Sequence, residues 1–336
     1  MFYKTENQRP AKPLDFQPLC LATYTRPEDY LPSEELVQAV NVALMLGQPL
    51  LLTGDAGTGK TQLAYHLAWQ LGLKDPLKFE TKSDSKAKDL FYWFDALSFF
   101  HAGQTRQAVN VNALDFLKFN ALGLAILLTK QADEIKDLIP AIPDGIKHDT
   151  PRRSVVLIDE VDKAARDFPN DILNEIEQLY FNIPELLGVQ KIKAEPTLSP
   201  IVILTSNSEK HLPEAFLRRC VYHHIEFPSR EKLQTIMEKR LPAMREQLAA
   251  HYQQSRVDLE KAIDFFLELR ALNLGKPPAT AEFLNWLMVL HFLASDDKNP
   301  FQNKDLLINS LSCLIKRHDD LEIAKDKATK FLNSRT

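Results

Sequence analysis

The chain has 336 residues, of which 45% are hydrophobic and 26% are charged, with a formal net charge of −4. This acidic balance disfavours nucleic acid as a partner, and the three cysteines match no disulfide or metal-site spacing. The longest apolar run, 121–128, is too short to span a membrane, and the amino terminus is too polar for a signal peptide. We therefore predict a soluble, cytoplasmic protein with no membrane contact.

The first quarter of the chain predicts an irregular segment followed by a helix, a strand and a second helix. Residues 1–29 are rich in proline and polar side chains, which predicts an irregular lead-in. A helix is predicted over 33–46, with Ser33 as its N-cap. The apolar residues 49–52 predict a buried strand, and apolar side chains at helical spacing predict a helix over 61–71.

A glycine-rich motif, Gly54-x-x-x-x-Gly59-Lys60-Thr61, joins that strand to that helix. Glycine lets successive backbone N–H groups of such a loop point at a polyphosphate, because it tolerates positive φ and close approach. We expect Lys60 to reach the β- and γ-phosphates of a nucleotide and the Thr61 hydroxyl to ligate Mg²⁺. The predicted nucleotide-binding residues are Gly54, Asp55, Ala56, Gly57, Thr58, Gly59, Lys60 and Thr61.

The later strands and helices predict an α/β fold followed by a helical domain. Four further strands are predicted at 77–81, 155–159, 201–206 and 221–227. Mostly apolar strands separated by helices are typical of a parallel sheet covered on both faces, whereas the alternating 221–227 predicts an edge strand. We predict a five-stranded parallel sheet within residues 30–228, with a helical insert over 83–151. Residues 229–336 predict an all-helical lid domain.

Polar residues follow two of the buried strands and predict the chemistry. We expect Asp159 to hold Mg²⁺ and Glu160 to orient and polarise an attacking water, since phosphoryl transfer depends on positioning and charge stabilisation. Asn207 follows strand 201–206 and is expected to hold the same water. The neighbouring Asp162 and Lys163 are predicted to form a solvated pair.

Arg218 and Arg219 immediately precede the edge strand. An arginine at this position does not easily reach its own nucleotide but reaches that of a neighbour in a ring. We therefore predict an arginine finger supplied in trans.

These segments, in this order, resemble an AAA+ ATPase, and more narrowly the MoxR-like, dynein-related (AAA_5) branch. The matching stretches are "YLPSEELVQAVNVALMLGQPLLLTGDAGTGKTQLA", "LFYWFDALSFFHAGQ", "VVLIDEVDKAARDFPNDILNEIEQLYFNIPE" and "TSNSEKHLPEAFLRRCVYHHIEFP". By position, Asp159 and Glu160 match the Walker B carboxylates and Asn207 matches sensor 1. Arg219 matches the arginine finger, with Arg218 as the second candidate.

The resemblance implies ATP hydrolysis with Mg²⁺, assembly into a ring, expected to be a hexamer, and chaperone-like remodelling or activation of partner proteins. Many relatives act on partners that carry a von Willebrand factor A domain. "FYWFDALSFFHAGQ" matches the helix-2 insert of this branch and "YFNIPELLGVQKIKAEP" its pre-sensor hairpin. Both are expected to face the substrate or the central pore.

One departure concerns the lid segment 274–287, which has no arginine where many AAA+ proteins carry sensor 2. Two alternatives stay open: Lys276 replaces this arginine, or the role is lost. Two alternative functions stay open: a DNA-linked AAA+ motor subunit of a restriction or mobile-element system, and a nucleotide-gated scaffold with negligible hydrolysis. The choice between ATP and GTP also stays open, because no base-reading residue is identifiable.

Overall fold

The computed structural model describes residues 26–104, 111–186, 191–207, 211–247, 257–294 and 299–334. The chain divides into two compact units: Tyr30–Pro228, and Ser229–Thr336 together with the residues before Tyr30. Of the predicted irregular lead-in, residues 1–25 lie outside the described residues, and Pro27–Asp29 forms a short 3-10 helix. No helix of the described residues is long and apolar enough to cross a membrane.

The first unit alternates strands and helices. Its strands are β1 (Leu50–Thr53), β2 (Leu77–Glu80), β3 (Tyr92–Phe94), β4 (Leu117–Phe119), β5 (Val155–Asp159), β6 (Tyr180–Phe181), β7 (Ile192–Lys193), β8 (Ile201–Ser206) and β9 (Val221–His224). Its α-helices are α1 (Glu34–Leu46), α2 (Lys60–Gln70), α3 (Ala96–Gln104), α4 (Ala121–Leu127), α5 (Phe168–Gln178) and α6 (Glu214–Leu217). Ser33 caps α1 as predicted, since its hydroxyl accepts the Leu36 N–H at 3.2 Å.

Five of these strands form the predicted parallel sheet, in the order β2-β5-β8-β1-β9. The edge position of β9 is confirmed, although the strand ends at His224 rather than at residue 227. Its neighbour β1 ends at Thr53, opposite His224, so that no partner strand continues beyond this point. Glu80 likewise lies level with Asp159. The carboxyl ends of the strands therefore meet along one edge.

Helices cover both faces of this sheet. On one face, alternate side chains of β1, β5 and β8 pack against α1 and α2: Leu50, Leu52, Val155, Leu157 and Ile203. On the other face, the intervening side chains pack with α4 and α5: Leu51, Val156, Ile158, Val202 and Leu204. Side chains on adjacent positions of a strand point to opposite faces, so two-sided burial explains why these strands are apolar at every position.

The prediction of a helical insert over 83–151 is wrong in part. The insert contains α3 and α4, but β3, which precedes α3, pairs antiparallel with β4, which lies between α3 and α4. The residue just before β3 lies so close to α4 that a Cβ on Gly123 would be 2.1 Å from the Phe91 carbonyl oxygen. A strand of three residues is too short to show a clear alternation of apolar and polar side chains, so that the sequence of an apolar segment does not reveal it.

A second antiparallel pair, β6 and β7, lies in the segment predicted as a pre-sensor hairpin. The Phe181 ring stacks on that of Phe91, with the centroids 5.0 Å apart. The Tyr92 hydroxyl donates to Glu185 Oε2 at 2.8 Å. The chain at β3 and the hairpin of β6 and β7 are therefore packed against each other.

The second unit is helical in its described residues, as predicted. Its α-helices are α7 (Arg230–Gln247), α8 (Leu259–Arg270), α9 (Thr280–Leu293), α10 (Lys304–Ser310) and α11 (His318–Ser334). Aromatic side chains of α8, α9 and α11 form part of its core: Phe265, Phe266, Phe283, Trp286 and Phe331. The helix α10 ends at Ser310, and a 3-10 helix, Leu311–Cys313, follows it directly.

Candidate nucleotide-binding site

The glycine-rich loop joins β1 to α2 at the carboxyl edge of the sheet. Gly54, Gly57 and Gly59 have φ values of 141°, 76° and 94°. A Cβ on Gly54 would lie 2.4 Å from the Ile225 carbonyl oxygen, so that a larger residue would displace the loop from β9. Gly59 is the N-cap of α2, which directs the positive end of the helix toward the loop.

Lys60 is buried at this helix end and is 6% exposed. Its ammonium donates to the carbonyl oxygens of Gly54 at 2.7 Å and Asp55 at 2.8 Å. Burial lowers the pKa of Lys60, and the nearby carboxylates, with Asp162 and Asp159 the foremost, oppose this shift. The Lys60 ammonium is held by carbonyl groups of the loop, and it can exchange these hydrogen bonds for hydrogen bonds to phosphate oxygens.

The remaining loop residues complete this turn. Thr58 donates its hydroxyl to the Asp55 carbonyl oxygen at 2.9 Å, and Ala56 lies between them in the sequence. Thr61 lies in the first turn of α2, directly after Lys60. All eight predicted loop residues therefore belong to one continuous turn and helix start.

Asp159 is the last residue of β5 and is 8% exposed. Its Oδ1 accepts hydrogen bonds from the Thr205 hydroxyl at 2.6 Å and from the Thr61 hydroxyl at 3.1 Å. Its Oδ2 lies 3.0 Å from Nζ of Lys78. The structure thus brings Thr61 and Asp159 together across a separation of 98 residues.

Glu160 and Asn207 are also brought together. Glu160 has left-handed backbone angles, φ 58° and ψ 50°, and its N–H donates to the Thr205 hydroxyl oxygen at 2.8 Å. Its Oε1 accepts a hydrogen bond from Nδ2 of Asn207 at 3.1 Å, and its Oε2 pairs with Lys163. The side chain is therefore held from two directions at the carboxyl edge.

The prediction of a solvated Asp162–Lys163 pair is wrong. Asp162 is 3% exposed, and its Oδ1 accepts the backbone N–H of Asn207 at 3.3 Å. The 3-10 turn Val161–Lys163 places Asp162 beside the end of β8, whereas Lys163 pairs with Glu160. The turn therefore directs Asp162 and Lys163 to different partners, although their adjacency in the sequence suggested that they would pair with each other.

A family model for the "ATPase family associated with various cellular activities (AAA)" matches residues 50–229, more than half of the chain. The chain belongs to the AAA family. The match includes the loop, both carboxylates and Asn207, which are the residues that meet at the carboxyl edge.

No curated protein matches this AAA chain. Among solved structures, it is similar to a closed-state cryo-EM reconstruction of Hsp104 with ATPγS and FITC casein, at 19% identity and a TM-score of 0.39. The alignment covers 70% of this chain but 41% of the Hsp104 chain, so that the AAA protein spans less than half the length of that chain.

The two candidate finger arginines of the AAA domain have other partners. Nε of Arg219 lies 3.4 Å from Oε1 of Glu177 on α5, and both side chains are 45% exposed. Arg218 is 81% exposed and lies 3.6 Å from Glu214. Both guanidinium groups are accessible at the surface of this unit.

Two contributors to the AAA site were not predicted from the sequence, namely Thr205 and Lys78. Thr205 donates to Asp159 and accepts from Glu160, so that one hydroxyl links both carboxylates. The sequence feature that could have indicated Thr205 is its position as a polar residue near the end of the otherwise apolar strand β8. Lys78 lies in the alternating "LKFE" of β2, where a lysine predicts only a solvent-facing position.

The site residues fit a magnesium ion. Hydroxyl and carboxylate oxygens are ligands that Mg²⁺ accepts, and two ligands at right angles around it lie about 3 Å apart. The Thr61 and Asp159 oxygens are 3.1 Å apart. In the described residues, no group of three or more His, Cys, Asp or Glu side chains is arranged to hold a metal ion by itself. An ion here would therefore also depend on ligands such as phosphate oxygens and water.

Proposed function

We propose that this AAA chain binds ATP with Mg²⁺ and hydrolyses it, and that it acts as a ring-forming, MoxR-like remodeller or activator of partner proteins. The observation that carries the enzymatic part is the convergence of the nucleotide loop with the acidic strand end. Thr61 lies 3.1 Å from Asp159, and Glu160 lies 3.1 Å from Asn207. These four side chains are the parts that phosphoryl transfer to water needs.

Each residue has a distinct proposed task. The backbone N–H groups of the loop and the Lys60 ammonium bind the triphosphate and neutralise its charge. Thr61 and Asp159 would hold Mg²⁺, which supplies Lewis-acid stabilisation of the phosphate oxygens. Glu160 takes a proton from the attacking water. Asn207 donates to Glu160 through Nδ2 and can accept from the same water through Oδ1, which orients both groups.

Two variants and one matched control test the enzymatic proposal. We expect Lys60→Ala to abolish binding of a fluorescent ATP analogue, since the loop loses its buried cation. Glu160→Gln should bind the analogue with wild-type affinity but turn over about 10²- to 10⁴-fold more slowly. Glu134→Gln, the same change at an exposed position of the insert, should leave both quantities unchanged. Wild-type turnover in Glu160→Gln would show that another group activates the water.

The ring and its finger form a second part of the proposal. An exposed Arg219 that exchanges Glu177 for the nucleotide of a neighbouring subunit would supply charge stabilisation in trans. We expect Arg219→Ala to lower turnover by about 10³-fold or more. Mixing inactive Arg219→Ala and Glu160→Gln subunits should restore part of the activity, because some interfaces then combine an intact arginine with an intact glutamate. Mixtures without activity, or an active monomer by light scattering, would exclude Arg219 as a finger in trans.

The client is proposed from the resemblance to the MoxR-like branch, which favours a protein with a von Willebrand factor A domain. The β3–β4 pair and the β6–β7 hairpin lie in the two segments that this branch is expected to direct at its substrate. Affinity capture with the full-length Glu160→Gln chain in ATP tests this point, with Lys60→Ala as the control that cannot bind nucleotide. A client retained equally by both variants would contradict ATP-dependent engagement.

A further inference from the structure

A lysine from the neighbouring strand lies against the carboxylate that is proposed to hold the metal ion. In the parallel pair of β2 and β5, Glu80 is level with Asp159, and Lys78 is two residues earlier on the same face as Glu80. Nζ of Lys78 lies 3.0 Å from Oδ2 of Asp159 and 2.8 Å from Oε1 of Glu80. One ammonium group therefore bridges a site carboxylate and an exposed carboxylate.

Asp159 does not depend on this lysine for its orientation. Its other oxygen, Oδ1, accepts the Thr205 hydroxyl at 2.6 Å, within the buried end of β8, and the Thr61 hydroxyl at 3.1 Å. The Lys78 side chain is longer and 30% exposed, so it fixes a partner less firmly than a buried threonine does. The main contribution of Lys78 at this position is therefore its positive charge.

We propose that Lys78 sets the metal dependence of the site by competing with the divalent cation for Asp159. This inference rests on the proposed function, because it concerns the carboxylate assigned to Mg²⁺ in nucleotide binding. A positive charge at Oδ2 lowers the attraction of Asp159 for a cation that arrives alone. A cation that arrives with the triphosphate brings negative charge with it and meets less repulsion. Lys78 therefore favours metal bound together with nucleotide over metal bound by itself.

The experiment measures how much Mg²⁺ the full-length chain needs to bind a fluorescent ATP analogue. Lys78→Met removes the charge and keeps most of the side-chain stem. We expect it to lower the half-saturating Mg²⁺ concentration about tenfold. The analogue's affinity in EDTA should change about twofold at most, because Lys78 acts through Asp159 and not on the phosphates. A purely structural lysine would shift both quantities together.

Two further variants control this measurement. Lys78→Arg keeps the charge and should keep the wild-type Mg²⁺ requirement. Lys74→Met makes the same change at an exposed position before the amino-terminal end of β2, away from the carboxyl edge. It should also behave as wild type. If Lys78→Met melts early by circular dichroism, Lys78→Gln removes the charge with a polar side chain and is expected to give the same shift.

The outcomes separate the failure of this inference from that of the proposed function. An unchanged Mg²⁺ requirement in folded Lys78→Met or Lys78→Gln overturns the inference, while wild-type nucleotide binding leaves the proposed function intact. A raised requirement also overturns it, because Lys78 would then be holding Asp159 for the metal. A wild-type chain that binds no nucleotide at any Mg²⁺ concentration refutes the proposed function and this inference with it.

Discussion

Each unit of the molecule contains a buried aspartate, and the two differ in what holds them. Asp159, at the carboxyl edge of the sheet, accepts from the hydroxyls of Thr61 and Thr205 and pairs with Lys78. Asp320, in the first turn of α11, is 4% exposed and accepts two backbone N–H groups. These belong to Gly275 at 2.9 Å and to Lys276 at 3.1 Å.

This difference distinguishes the candidate site around Asp159 from a structural anchor at Asp320. Hydroxyl and ammonium groups rotate about single bonds, so that the partners of Asp159 can turn to admit a cation or a phosphate group. Backbone N–H groups cannot turn without moving the chain, so that Asp320 fixes the loop that contains Lys276. Burial of a carboxylate is common to both places. The nature of the donors, side chain or main chain, is what distinguishes them.

The largest expected effect on the free energy of unfolding comes from a change at Asp320. Asp320→Ala leaves two backbone N–H groups without their acceptor, which should lower the free energy of unfolding by about 2–4 kcal/mol. Asp319→Ala, at the exposed neighbouring position, should change it by about 0.5 kcal/mol or less. Urea denaturation followed by circular dichroism measures both. Equal losses in the two variants would show that Asp320 is not an anchor.

Thr205→Val tests the other half of the comparison, namely the side-chain hydrogen bonds that hold Asp159. The substitution keeps the shape but removes the donor to Asp159 and the acceptor of the Glu160 N–H. We expect a loss of about 1–3 kcal/mol in stability, together with a fall in ATP turnover as both carboxylates lose their alignment. Thr197→Val, at an exposed position of the same unit, serves as the matched control. Full turnover in Thr205→Val would mean that Thr61 alone aligns Asp159.

The smallest expected effect on the free energy of unfolding comes from a change at Asn303, an uncharged N-cap residue in the helical unit. Asn303 is the N-cap of α10, and its side chain accepts the Leu306 N–H at 3.1 Å. Asn303→Ala should cost about 1 kcal/mol, because one backbone donor loses a neutral partner. Asn303→Ser retains a capping oxygen and should restore most of the stability in the same denaturation measurement. If serine and alanine are equally destabilising, the cap does not contribute as proposed.

The sheet and the nucleotide loop could be predicted because local signals determine them. Strands buried on both faces are apolar at every position, and the loop motif carries its own strand and helix context. The end of β9 could not be predicted, since it depends on where β1 stops. The β3–β4 pair was missed because its strands are only three residues long.

The composition of the site was predictable only in part. Asp159, Glu160 and Asn207 were proposed from their positions near the ends of strands, and the structure brings Glu160 and Asn207 together. Thr205 and Lys78 were not proposed, and Asp162 was assigned to a solvated pair, because the contacts of these three residues depend on neighbouring strands or on one turn of backbone. The Lys78–Asp159 contact, for example, requires the register of β2 against β5, which no residue in either strand specifies alone.

The left-handed backbone of Glu160 has a consequence for how this protein can change. A side chain with a Cβ is disfavoured at such angles by about 1 kcal/mol or more, whereas glycine adopts them freely. If Glu160 has the proposed role, backbone stability and catalysis favour different residues at this position. Glu160→Gly would relieve the backbone strain but remove the proposed catalytic carboxylate, so that gain in backbone stability would come at the expense of ATP turnover.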